Sequence, residues 1–206
     1  MCYNIREVDR MSAIAYEKSK EVIIMTTAIT RKKLSVRSQV LGAFAALVSA
    51  VALPQLLHVI GAVSGMGTAL GETFLPMHLP IILIGLLAGP YAAGAAGLLS
   101  PLVSFALTGM PTSVMLPFMM IELCVYGICA GLLRNVKLPT IVKVLIAQIA
   151  GRAVRAGAIL VGVHAFGAAI NPDVILTSIT VGLFGIILQL VIIPLAVYRL
   201  KEADNE

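Results

Sequence analysis

The 206 residues include 59% hydrophobic and only 12% charged side chains, about half the charge of an average soluble domain, which excludes an ordinary water-soluble fold. The formal net charge of +5 comes from basic residues at the ends of apolar runs rather than on one aromatic-studded face, so a nucleic-acid-binding surface is excluded too. Continuously apolar runs, with no repeat of ~10-residue segments of alternating polarity, leave an all-α integral membrane bundle rather than a barrel.

Residues 1 to 33 are polar and mixed in charge and read as a cytoplasmic tail or short surface helix. The stretch MTTAITRKK from Met25 looks like a natural start, so 1 to 24 are expected to be an upstream extension. A cleaved signal peptide is not expected, because the apolar run after Lys33 is too long and further spans follow it.

Six spans are expected in a single membrane domain over 34 to 201, with a short polar tail at 202 to 206. The first, 36 to 59, carries Gly42, Ala46 and Ala50 at i, i+4 and i+8. Small residues at this spacing let a helix approach closely, either from the same bundle or from a partner. A glycine-rich loop with Gly61, Gly65, Gly67 and Gly71 leads to Glu72 and is expected to be a flexible lid. The second span, 73 to 88, holds Pro76 and Pro80 around His78 and is expected to be short and kinked, since each proline removes a backbone donor. Gly89 and Pro90 turn the chain into the third span, 91 to 107, which opens with a run of alanine and glycine suited to close packing.

The fourth span, 115 to 133, contains Glu122 about seven residues, roughly 10 Å, in from its start. An ionised carboxylate at that depth costs several kcal/mol unless it is paired, hydrated or protonated. In the fifth span, 140 to 166, Gln148, Arg152 and Arg155 recur at i, i+4 and i+7 and share one helical face. Arginines at membrane depth face the protein interior or a watery cavity. The sixth span, 174 to 198, includes Gln189 towards its inner half, expected to make a helix-packing hydrogen bond.

Lys and Arg lie at 31 to 37, at 134 and 137, and at 199 and 201, whereas loops 60 to 72, 109 to 114 and 167 to 173 contain none. The positive-inside rule then places both termini in the cytoplasm of a multi-pass protein. In that topology Glu122 lies within reach of Arg155 or Arg152, and pairing with either leaves one cation over. The spare arginine suits a small polar ligand bearing a carboxylate, in a pocket that opens outward, with His78 and Gln148 as lesser contributors. The competing account is an ion-pair network that only fixes helix register.

Catalytic patterns are missing: there is no GxxxxGK[ST], HExxH or GxSxG, and no paired aspartates for a metal. Cys124 and Cys129 lie inside the fourth run and Cys2 in the tail, without disulfide or metal-ligand spacing. No cofactor or metal is expected, and any ATP-driven work would need another subunit.

Several stretches together, LPMHLPIILIGLLAGPYAAGAAGLLSPLVSFALTGMPTSVMLPFMMIELCVYGICAGLLR and the later AGRAVRAG, resemble the substrate-binding S components of energy-coupling factor (ECF) vitamin transporters, over about residues 35 to 200. The resemblance rests on the proline-framed His78, the Gly109-Met110-Pro111 turn, the Glu122 helix continuing to Tyr126-Gly127, and Gly151-Arg152, all in the expected order. It implies a non-enzymatic six-helix carrier in the bacterial plasma membrane. Such a carrier captures a vitamin from outside and docks on a membrane scaffold subunit with two ATPases. Binding would fall to Glu122, Arg152, Arg155, His78 and Gln148. The family's AxxxA motif maps onto Ala46 and Ala50, which with Gly42 become the expected docking stripe. Pantothenate, a carboxylate, suits the spare arginine on charge. Two rival classes are a structural or assembly subunit that binds no small molecule, and an intramembrane enzyme using Glu122 and His78.

Overall fold

The computed structural model describes residues 35–67 and 69–203. The tail expected over 1 to 33 lies outside the described residues. Among those described there are helices and no strands: α1 (Val36–Val63), α2 (Ala69–Phe74), α3 (His78–Ala88), α4 (Pro90–Thr108), α5 (Leu116–Leu132), α6 (Thr140–Phe166), α7 (Val174–Val181) and α8 (Leu183–Ala203). A 3-10 turn, Leu133–Asn135, follows α5. Six segments are long and apolar enough to cross a bilayer: α1, the α2–α3 pair, α4, α5, α6 and α8. The chain is thus an all-α, multi-pass membrane protein, and Val40, Leu41, Phe44, Ile149 and Val191 are among the large apolar side chains on its outer surface.

Close packing begins with α4 and α5. A β-carbon on Gly97 would run into the carbonyl of Leu123, and one on Gly127 into the carbonyl of Ala93. Two backbones can approach this closely only where neither carries a side chain, which explains the glycines the sequence places there. With α4 seated so, α5 becomes central, packing also against α3 and α6. Ile81, Ile82, Leu123, Tyr126, Val144, Ala147 and Ile193 close the core around it. At the opposite end of the bundle from loop 64 to 67, the Lys143 ammonium donates to the Arg134 carbonyl at 3.0 Å and ties α6 to the end of α5.

Four expectations are corrected. The stripe on α1 is used within the bundle: Ala46 and Ala50 are buried, and Gly42 lies against Ile84. Its small residues serve contact with α3 and α4 and leave no free docking face there. The glycine-rich loop is largely helix, since Gly61 lies in the last turn of α1 and Gly71 belongs to α2; Gly65 and Gly67 take positive φ values of 75° and 58° in the short turn between. Of the four glycines, Gly71 lines the cavity described below, whereas Gly61, Gly65 and Gly67 do not. The sixth span is split, with α7 standing before the spanning helix α8, which runs to Ala203 and takes in the start of the expected tail.

The second span is broken rather than kinked. Leu75 has a φ of 49°, and the helix restarts at His78, which puts Pro80 in a first turn where no donor is missed. A break at membrane depth leaves carbonyls that only protein can satisfy. The Leu75 carbonyl accepts from the His78 amide at 3.1 Å and from the Gln189 side-chain amide at 3.2 Å. Gln189 in turn accepts from the Gln148 amide at 3.0 Å. Gln189→Leu, which strips a bond from the break and orphans the Gln148 donor, is expected to lower stability by about 1–3 kcal/mol. Thermal unfolding of the purified variant in detergent checks this.

Candidate ligand cavity

Glu122 faces inward from α5 and is 1% exposed. Its Oε2 accepts from Arg155 Nη1 at 3.1 Å, and its Oε1 accepts from the Tyr126 hydroxyl at 2.9 Å. Tyr126 stands one turn further along the same helix, the i+4 spacing at which side chains meet. Gly151 on α6 leaves the room that the Tyr126 ring occupies. The His78 ring lies edge-on to Tyr126 with centroids 5.1 Å apart, and its Nε2 is 3.8 Å from Glu122 Oε1, too long for a hydrogen bond. One buried carboxylate thus gathers a guanidinium, a phenol and an imidazole from α3, α5 and α6.

Beside this cluster lies a cavity of about 370 Å³, within the range of small-molecule sites. His78 and Arg155 line it, whereas Glu122 does not. The carboxylate therefore acts from behind, holding Arg155 so that the guanidinium can serve the cavity. Ser104, Thr112, Thr177 and Ser178 add hydroxyls, and His58 and Glu72 are brought in by α1 and α2. Gly71 permits that last approach, for a β-carbon there would sit 3.1 Å from the His58 ring. Much of the remaining wall is methionine and proline: Met77, Met110, Met115, Met119, Pro54, Pro76 and Pro111. Thioethers of this kind adapt to varied apolar shapes.

The structure brings Glu122, Arg155 and His78 together and parts Arg152 and Gln148 from them. Arg152 makes no ion pair among the described residues; its Nη1 donates to the Ser178 carbonyl at 3.4 Å. Arg152 and Gln148 line a different groove, of about 400 Å³, between α6, α7 and α8. Arg155 and Ser178 border both spaces. The place of both residues in one pocket with Glu122, expected from their shared face, is corrected accordingly. Tyr126 was missed, although its spacing from Glu122 could have shown it, and so were the contributions of α7, which only the fold brings near.

Arg152 and Arg155 bring two positive charges against the two negative charges of Glu122, behind the cavity, and Glu72, in its wall. The formal balance of the region is therefore zero, and an anion would be drawn by the placing of Arg155 rather than by an excess of charge. Asp173 is the remaining carboxylate among the described side chains. No cluster of three metal-ligating side chains occurs among the described residues. Compared with protein-family models, curated proteins and solved structures, the chain matches none.

Proposed function

We propose that this protein is the ligand-binding membrane subunit of a solute importer, of the energy-coupling factor type that its sequence resembles. It would take a small anionic metabolite, a vitamin such as pantothenate on charge, from outside the bacterial plasma membrane. The observation that carries this reading is the cavity of about 370 Å³ with Arg155 in its wall, whose Nε is buried without a hydrogen-bond partner. A buried unpaired donor on a cation costs free energy until an acceptor arrives, and a carboxylate supplies one in the geometry that guanidinium groups favour.

Orientation agrees with uptake. The cavity is built from the bundle end whose connections, 64 to 77, 109 to 115 and 167 to 182, contain no Lys or Arg. By the positive-inside rule that end faces outward. Delivery would follow docking on a scaffold subunit with two ATPases. Because Ala46 and Ala50 are occupied, α1 would offer its exposed side, Leu41, Phe44 and Val48, instead. The reading makes the protein a carrier without catalysis of its own.

Titration calorimetry of detergent-purified protein with a panel of carboxylate vitamins tests the reading. One member is expected to bind at one molecule per chain and to lose at least about tenfold in affinity as its amide, since a charge-assisted bond is worth roughly 1.5–3 kcal/mol. Binding indifferent to the carboxylate, or no binding across the panel, would go against it.

A further inference from the structure

We propose that the groove between α6, α7 and α8 is a second site, open to the bilayer, for a single-chain amphiphile whose head joins a carboxylate to a neighbouring O–H or N–H donor. This inference does not rest on the carrier reading. Its walls are apolar, formed by Leu145, Ile149, Ile159, Ile175, Ile179 and Ile186. Leu145, Ile149 and Ile179 are exposed at its edge, the direction from which a chain dissolved in lipid would enter.

Three side chains bordering the groove, Gln148, Arg152 and Arg155, each keep one buried polar atom without a hydrogen-bond partner, and Arg155 is already held by Glu122. Arg152 carries a full charge with no ion pair among the described residues, and its buried Nε donates to nothing. Gln148 is 4% exposed, and its Oε1 is likewise buried without a partner. The orientation of that amide is fixed by a chain of bonds. The Leu75 carbonyl can only accept, so Gln189 must turn its amino group there; the Gln189 oxygen then faces the Gln148 amino group. Gln148 Oε1 is left needing a donor. An occupant must therefore bring an anionic acceptor for Arg152 and a donor for Gln148, which describes the head of a 2-hydroxy fatty acid or an N-acyl amino acid.

Depth and size decide against other occupants. Arg152 lies twelve residues after Thr140 and fourteen before Phe166, about 18 and 21 Å from the two ends of α6. A phospholipid phosphate resides at the membrane surface, not at mid-depth. A partner helix, about 10–12 Å across, exceeds a groove of about 400 Å³, whereas one acyl chain is slim enough.

The test uses the full chain in phosphatidylcholine nanodiscs, with hexadecanoate bearing a terminal diazirine as photoprobe. Adducts are expected in segments 145 to 159 and 175 to 186. Unlabelled 2-hydroxyhexadecanoate should compete about fivefold better than hexadecanoate, one hydrogen bond's worth, and hexadecanol should not compete. Arg152→Gln is expected to cut labelling at least tenfold. Ile149→Trp, which fills the groove while leaving Arg152 intact, should do the same and carries the decision should Arg152→Gln fail to fold. Adducts spread over all lipid-facing helices, equal competition by hexadecanol, labelling that survives Ile149→Trp, or chain-to-chain crosslinks through the groove would each overturn the proposal. Retention of the cavity ligand is a separate readout, which Ile149→Trp should leave unchanged.

Discussion

Arg155→Leu is expected to abolish ligand retention and to lower the unfolding free energy by about 3–5 kcal/mol, the cost of leaving a buried carboxylate without its cation. Glu122 is 1% exposed, and Arg155 is the arginine it pairs with, at 3.1 Å. Tyr126 still donates to Oε1 after the substitution, but a neutral hydroxyl does not replace a charge. The double variant Glu122→Leu/Arg155→Leu removes both charges and should regain most of the lost stability, because a well-packed apolar pair can replace a buried ion pair at little cost. It should not regain the ligand. Denaturant unfolding and calorimetry on the three variants separate the roles: an arginine that only fixed helix register would let binding return with stability.

Gly127→Val is expected to prevent folding. Overpacked cores ordinarily cost about 1–3 kcal/mol, because neighbouring side chains shift or change rotamer. Here the obstacle is the backbone carbonyl of Ala93, which cannot rotate aside without dismantling α4, and Gly97 meets the Leu123 carbonyl in the same manner. The two helices would have to separate over their whole contact. The yield of monodisperse protein from detergent extraction is the measurement, and near-normal yield would refute the packing described. Gly157→Ala is the control, since nothing lies within 4 Å of the added carbon. It should be neutral or stabilising by about 0.5–1 kcal/mol, as for glycine in a helix interior.

Much of this architecture was legible in the sequence, because in a bilayer apolar length nearly dictates the helix. The fifth span was expected over 140 to 166, where α6 lies. The approach of Glu122 to an arginine followed from depth alone. What could not be read depends on tertiary partners. Small residues at i and i+4 announce a close contact without naming the other helix, so Ala46 and Ala50 served a docking surface equally well until α3 and α4 were seen to cover them. The break at Leu75 needs Gln189, distant in sequence, to satisfy its carbonyl.

Arg152 and Arg155 share a helical face only loosely. Three residues at 3.6 per turn set them about 60° apart. That divergence, together with the α7 residues that border both spaces, keeps Arg152 to the lateral groove, whereas Arg155 borders the groove and also stands in the wall of the cavity. A pattern of i, i+4 and i+7 cannot resolve such a difference until the neighbours are known.

The central claim is that the cavity beside Arg155 holds one small anion. Native mass spectrometry of the protein released from detergent tests it most directly. Wild type and Arg152→Gln are expected to carry the same single polar-metabolite adduct, told apart by mass from any acyl-chain amphiphile in the groove, and the folded Glu122→Leu/Arg155→Leu variant to carry no such metabolite. A polar-metabolite adduct that persists in the double variant, or that disappears with Arg152 and not with Arg155, would contradict the account.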